Sequence, residues 1–333
     1  MHKSELDIPV ALIFFVRPDT LSKVFEKIKK ARPAKLFLIQ DGARLINDSD
    51  NQRINECRSI VDDIDWECEV FKNYSESNLG CGRRPFTGIT WVFEHVDKAI
   101  ILEDDCIPAD SFFSFCKEML IKYQNDKRVG IISGLNYFEQ YDFGGNSYGF
   151  VKTGSIWGWA TWKDRWEEYD FNMDHLKDDY IQNLVKMDIT PKSAAKQRIN
   201  TWKAAQKKIL NEPNVSYWDY QWGLTRHINS WLSIVPNRNQ ITNVGIGSGS
   251  THSGSNINFL PKKIAAFFFM DTTNLEFPLT EPKFVIPDRN YDEQYYKMIY
   301  PNILYKIINR ITRIIKIQTH KSKKKKKLNN YTN

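Results

Sequence analysis

Apolar and polar positions alternate along the first 135 residues in two distinct periods. Val10 to Val16 is a continuous apolar run of strand length. Leu21, Val24, Phe25 and Ile28 follow at helical spacing, and Lys35 to Gln40 is a second strand that ends at Asp41-Gly42. Ile54, Cys57, Ile60, Val61 and Ile64 mark a second helix, and Cys68 to Phe71 a third strand. The stretch 78–85 (NLGCGRRP) has turn composition, and Phe86, Ile89, Val92, Phe93 and Val96 then make a third helical stripe. Lys98 to Leu102 is a fourth strand running into Glu103-Asp104-Asp105. Asp110 is placed to cap a helix with Phe112, Phe113, Cys116, Met119, Leu120 and Tyr123 on its apolar face, and Val129 to Ser133 is a fifth strand. Strands alternating with helices predict an α/β fold, a mostly parallel central sheet flanked by helices.

The pattern changes after residue 135. Eight of the ten tryptophans lie within 136–260, and glycines cluster in VGIGSGSTHSG (244–254), so this stretch reads as a second half built on the same sheet. The expected organisation is a first half over 1–135 and a second half of the same domain over 136–260. An extension over 261–300 and a basic amphipathic helix with a polylysine tail over 301–333 complete it.

Charge enters at this point. The chain of 333 residues carries 47 Lys and Arg against 40 Asp and Glu, a formal net charge of +7. Residues 301–333 hold ten of the basic residues and no acidic one, which leaves the body with 37 basic against 40 acidic. A slightly acidic body does not favour a nucleic-acid groove. Ile303, Leu304, Ile307, Ile308, Ile311, Ile314 and Ile315 keep a helical stripe, with lysines and arginines opposite, and Lys321 and Lys323–Lys327 follow. Such a segment suits an anionic membrane surface, so residues 303–327 are expected to hold the protein at the inner face of the cell membrane. The apolar run near the start is too short to span a membrane and has no cleavage site, which suggests a cytoplasmic protein. Five cysteines without close pairing read as reduced thiols.

In parallel sheets, ligands bind beyond the carboxyl ends of the strands. Arg17, Asp41 and the acidic triplet all fall there. Three successive carboxylates repel one another unless a cation joins them, and a hard ion such as Mn2+ or Mg2+ suits oxygen ligands. Asp105 is expected to bind the metal, with Asp104 and Glu103 contacting sugar, ribose or groups around the ion. An acidic turn before a helix is the plainer explanation. Asp41 suits the N–H of a base ring, although an Asp-Gly turn alone would account for it. Arg17, Arg83 and Arg84 suit phosphate or ribose. Asp219 in YWDYQW (217–222) lies among bulky aromatics, where desolvation would raise its pKa toward that of a general base. His252 in the glycine–serine loop is a candidate to reach the metal or diphosphate. Trp157, Trp159 and Trp218 are candidates to stack on sugar rings, against core packing.

Taken together, FVRPDTL (15–21), IQDG (39–42), RRPFTGITWVF (83–93), ILEDDCIPADSFFSF (101–115), SIWGWATWKDRW (155–166), YWDYQW (217–222) and NVGIGSGSTHSG (243–254) resemble, in order, the motifs of GT-A glycosyltransferases. The chain is similar to the N-acetylglucosaminyltransferase I family and its bacterial relatives over about residues 8–255. Where the family has a histidine in the third of these motifs, this chain places Arg84. The resemblance implies a GT-A fold. It also implies a metal-dependent inverting transfer of a sugar from a nucleotide-diphosphate donor, UDP-sugar favoured, to a glycan or lipid-linked glycan hydroxyl in cell-surface polysaccharide synthesis. Arg17 and Asp41 would contact the nucleotide, Asp105 would bind Mn2+, and Asp219 would be the base. A sugar-1-phosphate nucleotidyltransferase and a non-catalytic carbohydrate-binding protein are the alternatives. The former normally carries a glycine-rich loop after the first strand, which FVRPDT lacks.

Overall fold

The computed structural model describes residues 2–212, 215–246 and 262–300. The first half runs β1 (Val10–Phe14), α1 (Pro18–Ala31), β2 (Lys35–Gln40), α2 (Asp50–Val61), β3 (Glu69–Tyr74), α3 (Gly80–His95), β4 (Lys98–Glu103), β5 (Cys106–Pro108), α4 (Phe112–Lys122) and β6 (Val129–Ser133). The second half continues with β7 (Tyr148–Val151), β8 (Trp159–Trp162), α5 (Lys163–Trp166), a 3-10 turn at Asp174–Lys177, α6 (Asp179–Asp188) and α7 (Lys192–Asn211). It ends with α8 (Asp219–Ile228), β9 (Leu232–Pro236), β10 (Ile241–Asn243), α9 (Lys262–Ala265) and α10 (Arg289–Ile299).

Among the described residues, eight strands form one sheet in the order β3-β2-β1-β4-β8-β6-β9-β7. β3, β2, β1 and β4 are mutually parallel, as are β6 and β9, whereas β8 pairs antiparallel with both β4 and β6 and β7 pairs antiparallel with β9. The fold is thus mixed α/β with a mostly parallel sheet flanked by helices. Both faces of β1, β2 and β4 are covered, which is why these strands read as unbroken apolar runs, whereas the edge strand β3 is only partly buried. Successive residues point to opposite faces. Val10, Leu12, Leu36, Leu38, Ile100 and Leu102 pack with α1, α2 and α4, whereas Ala11, Ile13, Phe37, Ile39, Ala99 and Ile101 pack with α3 and a tryptophan cluster. A third cluster joins α6, α7 and α8 through Val185, Ile199, Trp202 and Leu224.

Four local expectations shift. The third strand begins at Glu69 and runs to Tyr74. The fifth predicted strand exists as β6, but β8 of the second half inserts between it and β4. Asp110 does not cap α4: Ser111 holds that position, and Asp110 pairs instead with Lys27 of α1 at 2.5 Å. The turn-like 78–85 stretch is already helical from Gly80, with Pro85 inside the helix. The last shift has an identifiable cause. Asp41, at the end of β2, accepts the N–H groups of Leu79 and Gly80 at 2.8 Å each. A carboxylate there satisfies orphan donors of α3 and complements the positive end of its dipole.

Candidate functional site

A cavity of about 580 Å3 opens at the carboxyl ends of β1, β2 and β4. Its wall combines the β1–α1 turn with Asp41, Arg44, the start of α3 and the acidic triplet. Trp157, residues 216–220, Asn243, Gly245 and Phe268 complete it from the second half. Sequence alone places a site at this edge, and the topology explains why both halves meet there. Pairing β8 against β4 carries the chain of the second half back across the end of the parallel strands.

The acidic triplet occupies the turn between β4 and β5. Asp104 is buried and accepts the N–H of Phe15 at 3.0 Å and Arg17 Nη1 at 3.4 Å. Asp105 Oδ2 accepts the same Arg17 Nη1 at 2.6 Å, while its Oδ1 accepts Asn243 Nδ2 and Cys106 Sγ at 3.3 Å each. Gly245 passes directly against this carboxylate: a Cβ there would stand 1.9 Å from Asp105 Oδ2. Burial, reinforced by the charges of Asp105 and Asp104, pushes the Glu103 carboxyl up to about 8. Burial likewise raises Asp104 to about 6, against the pull of Arg17. Desolvation works against the Arg17 charge, but Asp104 and Asp105 outweigh it and hold its pKa above the ordinary value.

Five carboxylates line the cavity, those of Asp41, Glu103, Asp104, Asp105 and Asp219, against the three arginines Arg17, Arg44 and Arg84. Two of the arginines are committed elsewhere. Arg44 forms a two-pronged pair with Asp50 at 2.7 Å per bond and sits over the Phe15 ring. Arg84 is buried, and its guanidinium donates to the carbonyls of Gln40 and Asn73 and to Asn73 Oδ1. Burial lowers its pKa. The wall therefore carries more negative than positive charge, and the Asp104–Asp105 pair shares Arg17.

Several expected site residues stand elsewhere or are engaged. Asp41 reaches the cavity wall, but its two oxygens already accept Gly42, Leu79 and Gly80 N–H and Asn78 Nδ2, which accounts for about the full capacity of a carboxylate. Arg83 is exposed outside the cavity lining, over the Phe171 ring. Trp159 does not reach the cavity. It is fully buried on β8, packed against Trp166, Trp218 and Trp222, so core packing is its role. Trp218 lines the wall while belonging to that same cluster. Trp157 lines the wall and packs its ring against Phe268, with centroids 5.0 Å apart. Asp219 begins α8 at the cavity wall and is exposed, while Trp218 and Trp222 turn inward. His252 lies outside the described residues.

Arg44, Asn78, Cys81, Asn243, Tyr217, Tyr220 and Phe268 are wall residues that the sequence reading missed. For Arg44 a signal existed, a basic residue two positions beyond the Asp41-Gly42 turn. For Asn243 and Phe268 there was none, since they arrive through long-range pairing with β5 and with each other.

The donor set suits a hard divalent cation. It consists of carboxylate oxygens, and Asp105 already holds a cation, the Arg17 guanidinium. Among the described residues, no group of three or more His, Cys, Asp or Glu is arranged around a common point. An ion at Asp105 would complete its shell from ligand oxygens and water, the usual manner of Mg2+ with phosphates.

The fold and site together define an α/β protein with a ligand-sized acidic cavity at the carboxyl edge of its sheet. Neither a protein-family model nor a curated protein matches the chain. Solved structures similar to it include a UDP-glucose pyrophosphorylase complexed with UDP-glucose, 8% identical, covering 70% of this chain and 91% of that one with a TM-score of 0.35. The galactosyltransferase LgtC in complex with donor and acceptor sugar analogues is 10% identical, covering 68% and 86% with a TM-score of 0.32. A UTP-bound UGPase from Acinetobacter baumannii is 8% identical, covering 71% and 88% with a TM-score of 0.33. Likenesses this loose say nothing of the chemistry at the cavity.

Proposed function

We propose that the protein is a metal-dependent, inverting glycosyltransferase that takes a sugar from a nucleotide diphosphate, UDP favoured, to a hydroxyl of a glycan or lipid-linked glycan. One observation carries this reading. A cavity of nucleotide-sugar size has an excess of carboxylates in its wall, among them the acidic triplet and the exposed Asp219. An anionic diphosphate enters such a wall only with a cation. Mn2+ or Mg2+ held by Asp105 would offset the charge of the departing diphosphate. The resemblance of ILEDDCIPADSFFSF and YWDYQW to N-acetylglucosaminyltransferase I motifs supports the same division of roles.

With a cation at Asp105, Arg17, which now pairs with that carboxylate, would be placed to contact a phosphate or ribose oxygen. Trp157 and Phe268 present an apolar face to a sugar ring. Asp219 accepts the proton of the acceptor hydroxyl as that oxygen attacks the anomeric carbon from the side opposite the diphosphate. The bond to the diphosphate breaks in the same step, so the configuration inverts. Asp219 is exposed at the cavity wall, where its carboxylate is within reach of an acceptor hydroxyl. The four donors around Asp41 suit it to hold the turn at 77–80 in shape beside the base rather than to read the base itself.

Asp219→Asn tests the assignment. The variant is expected to bind UDP in Mn2+ as the native protein does and to lose transfer by at least about a hundredfold, the contribution typical of a general base. Near-native transfer would remove Asp219 from the mechanism. The product separates this reading from nucleotidyl transfer: a glycosyltransferase releases nucleoside diphosphate, and a nucleotidyltransferase releases pyrophosphate.

A further inference from the structure

Two arginines packed on α7 and α8 have no carboxylate counter-ion among the described residues. Arg226 on α8 is buried, with Nη1 donating to Ser233 Oγ at 3.1 Å and Nη2 to the Gly154 carbonyl at 3.3 Å. Arg198 on α7 lies over the Trp202 ring at 4.8 Å and is bonded to Tyr300. The Nε of each guanidinium is buried without a hydrogen-bond partner among the described residues. No carboxylate among those residues lies within 4.0 Å of either arginine. Residues 1, 213–214, 247–261 and 301–333, the remainder of the chain, contain no Asp or Glu at all. The nearby acids are occupied: Asp188 pairs with His227 and Lys152, and Asp292 accepts the N–H groups of Lys152 and Thr153.

A buried guanidinium without an anion is costly, and the usual partner is a carboxylate or phosphate gripped in planar fashion. Arg226 lies on α8, the helix that Asp219 begins. Arg198 packs where α8 has Gly223, and a Cβ there would stand 3.0 Å from Arg198 Nη2. Gly223 and Arg226 follow Asp219 by four and seven residues, about 6 and 10 Å along the helix. Tyr220, whose environment includes the Arg198 charge, lines the donor cavity itself. An acceptor hydroxyl at Asp219 and an anionic group one sugar ring away would span this interval.

We propose that Arg198 and Arg226 bind an oxyanion of the acceptor, a phosphate or a carboxylate, next to the hydroxyl that Asp219 deprotonates. The proposal rests on the glycosyltransferase reading for the word acceptor, while the anion site itself does not. Glucose 1-phosphate, glucuronate and glucose are titrated separately into the full chain by calorimetry without divalent cation. At least one of the two anions should bind and uncharged glucose should not, and the anion that binds tells phosphate from carboxylate. Arg198→Gln should weaken that binding at least tenfold, Arg198→Lys should retain more of it, and Asp105→Ala should leave it unchanged. Removal of an uncompensated charge should leave the Tm of Arg198→Gln equal to or above that of the native protein, which shows that the variant folds. Binding of neither anion, binding unchanged in Arg198→Gln, or binding lost in Asp105→Ala overturns the proposal. Titration of UDP in Mn2+ on the same protein keeps the two readings apart, since anion binding without UDP binding would leave the arginine site standing and remove the transferase reading.

Discussion

Asp41 shows how the chemistry of one residue depends on contacts that its neighbours in sequence do not reveal. An Asp-Gly step at a strand end advertises either a turn or a ligand contact. The structure gives its oxygens to the start of α3, thirty-eight and thirty-nine residues further on. Asp41→Ala should therefore cost about 1–3 kcal/mol, the price of stranding buried donors, measured by urea unfolding. Arg44 and Asp50 form the other structural pair at the wall, and Arg44 holds the Asp50 carboxyl below its ordinary pKa through that bond. A carboxyl depressed in the folded state adds stability above its unfolded pKa of about 3.9, and that stability disappears as pH falls through the lower folded value. Arg44→Met should thus lose about 1–2 kcal/mol at neutral pH, since the guanidinium is partly screened by solvent. The difference from the native protein should shrink toward zero below pH of about 3. A stability gap that persists in acid would assign the loss to packing on Phe15 instead.

At the scale of elements, the strands and helices of the first half were legible because the inner strands β1, β2 and β4 are covered on both faces and each helix on one. Periods of apolar residues report those environments directly. The insertion of β8 between β4 and β6 was not legible. WATW is a four-residue apolar run, and nothing local distinguishes a strand that pairs with its neighbour from one that pairs with β4 some sixty residues earlier. The same limit hid Trp159, since a tryptophan that stacks on sugar and one that fills a core have the same spacing. The segment after β10 illustrates a constraint that only the folded chain exposes. Gly245 lies so close to Asp105 that any side chain there displaces the carboxylate. Gly245→Ala should lower Mn2+-dependent UDP affinity at least tenfold in calorimetry. Its Tm should stay within a few degrees, since the residue sits at the cavity edge rather than in the core.

For the molecule as a whole, the distribution of charge matters more than its sum. The sheet edge gathers carboxylates into one wall, and the excess of basic residues lies in 301–333, outside the described residues. No helix among the described residues is long and apolar enough to cross a membrane. If the isoleucine-striped basic segment holds the protein to anionic lipid, the full chain should sediment with phosphatidylglycerol vesicles at low salt and dissociate at high salt, whereas a chain ending at residue 300 should remain in solution. Equal sedimentation of both chains would place the contact on the body. The edge of the sheet, the acidic triplet and Asp219 at the cavity wall were legible in the sequence as a convergence of motifs. The arginine pair of α7 and α8 was not, because its meaning lies in the absence of a carboxylate partner among the described residues, which only the packing reveals.

The central claim is that an acidic wall accepts a nucleotide diphosphate only through a cation at Asp105. Calorimetric titration of UDP into the native protein, with and without Mn2+, and into Asp105→Ala with Mn2+, tests it most directly. Binding in the native protein with Mn2+ alone, lost by at least tenfold without the ion and in Asp105→Ala, is the expected result. Equal UDP affinity in all three titrations would contradict the account.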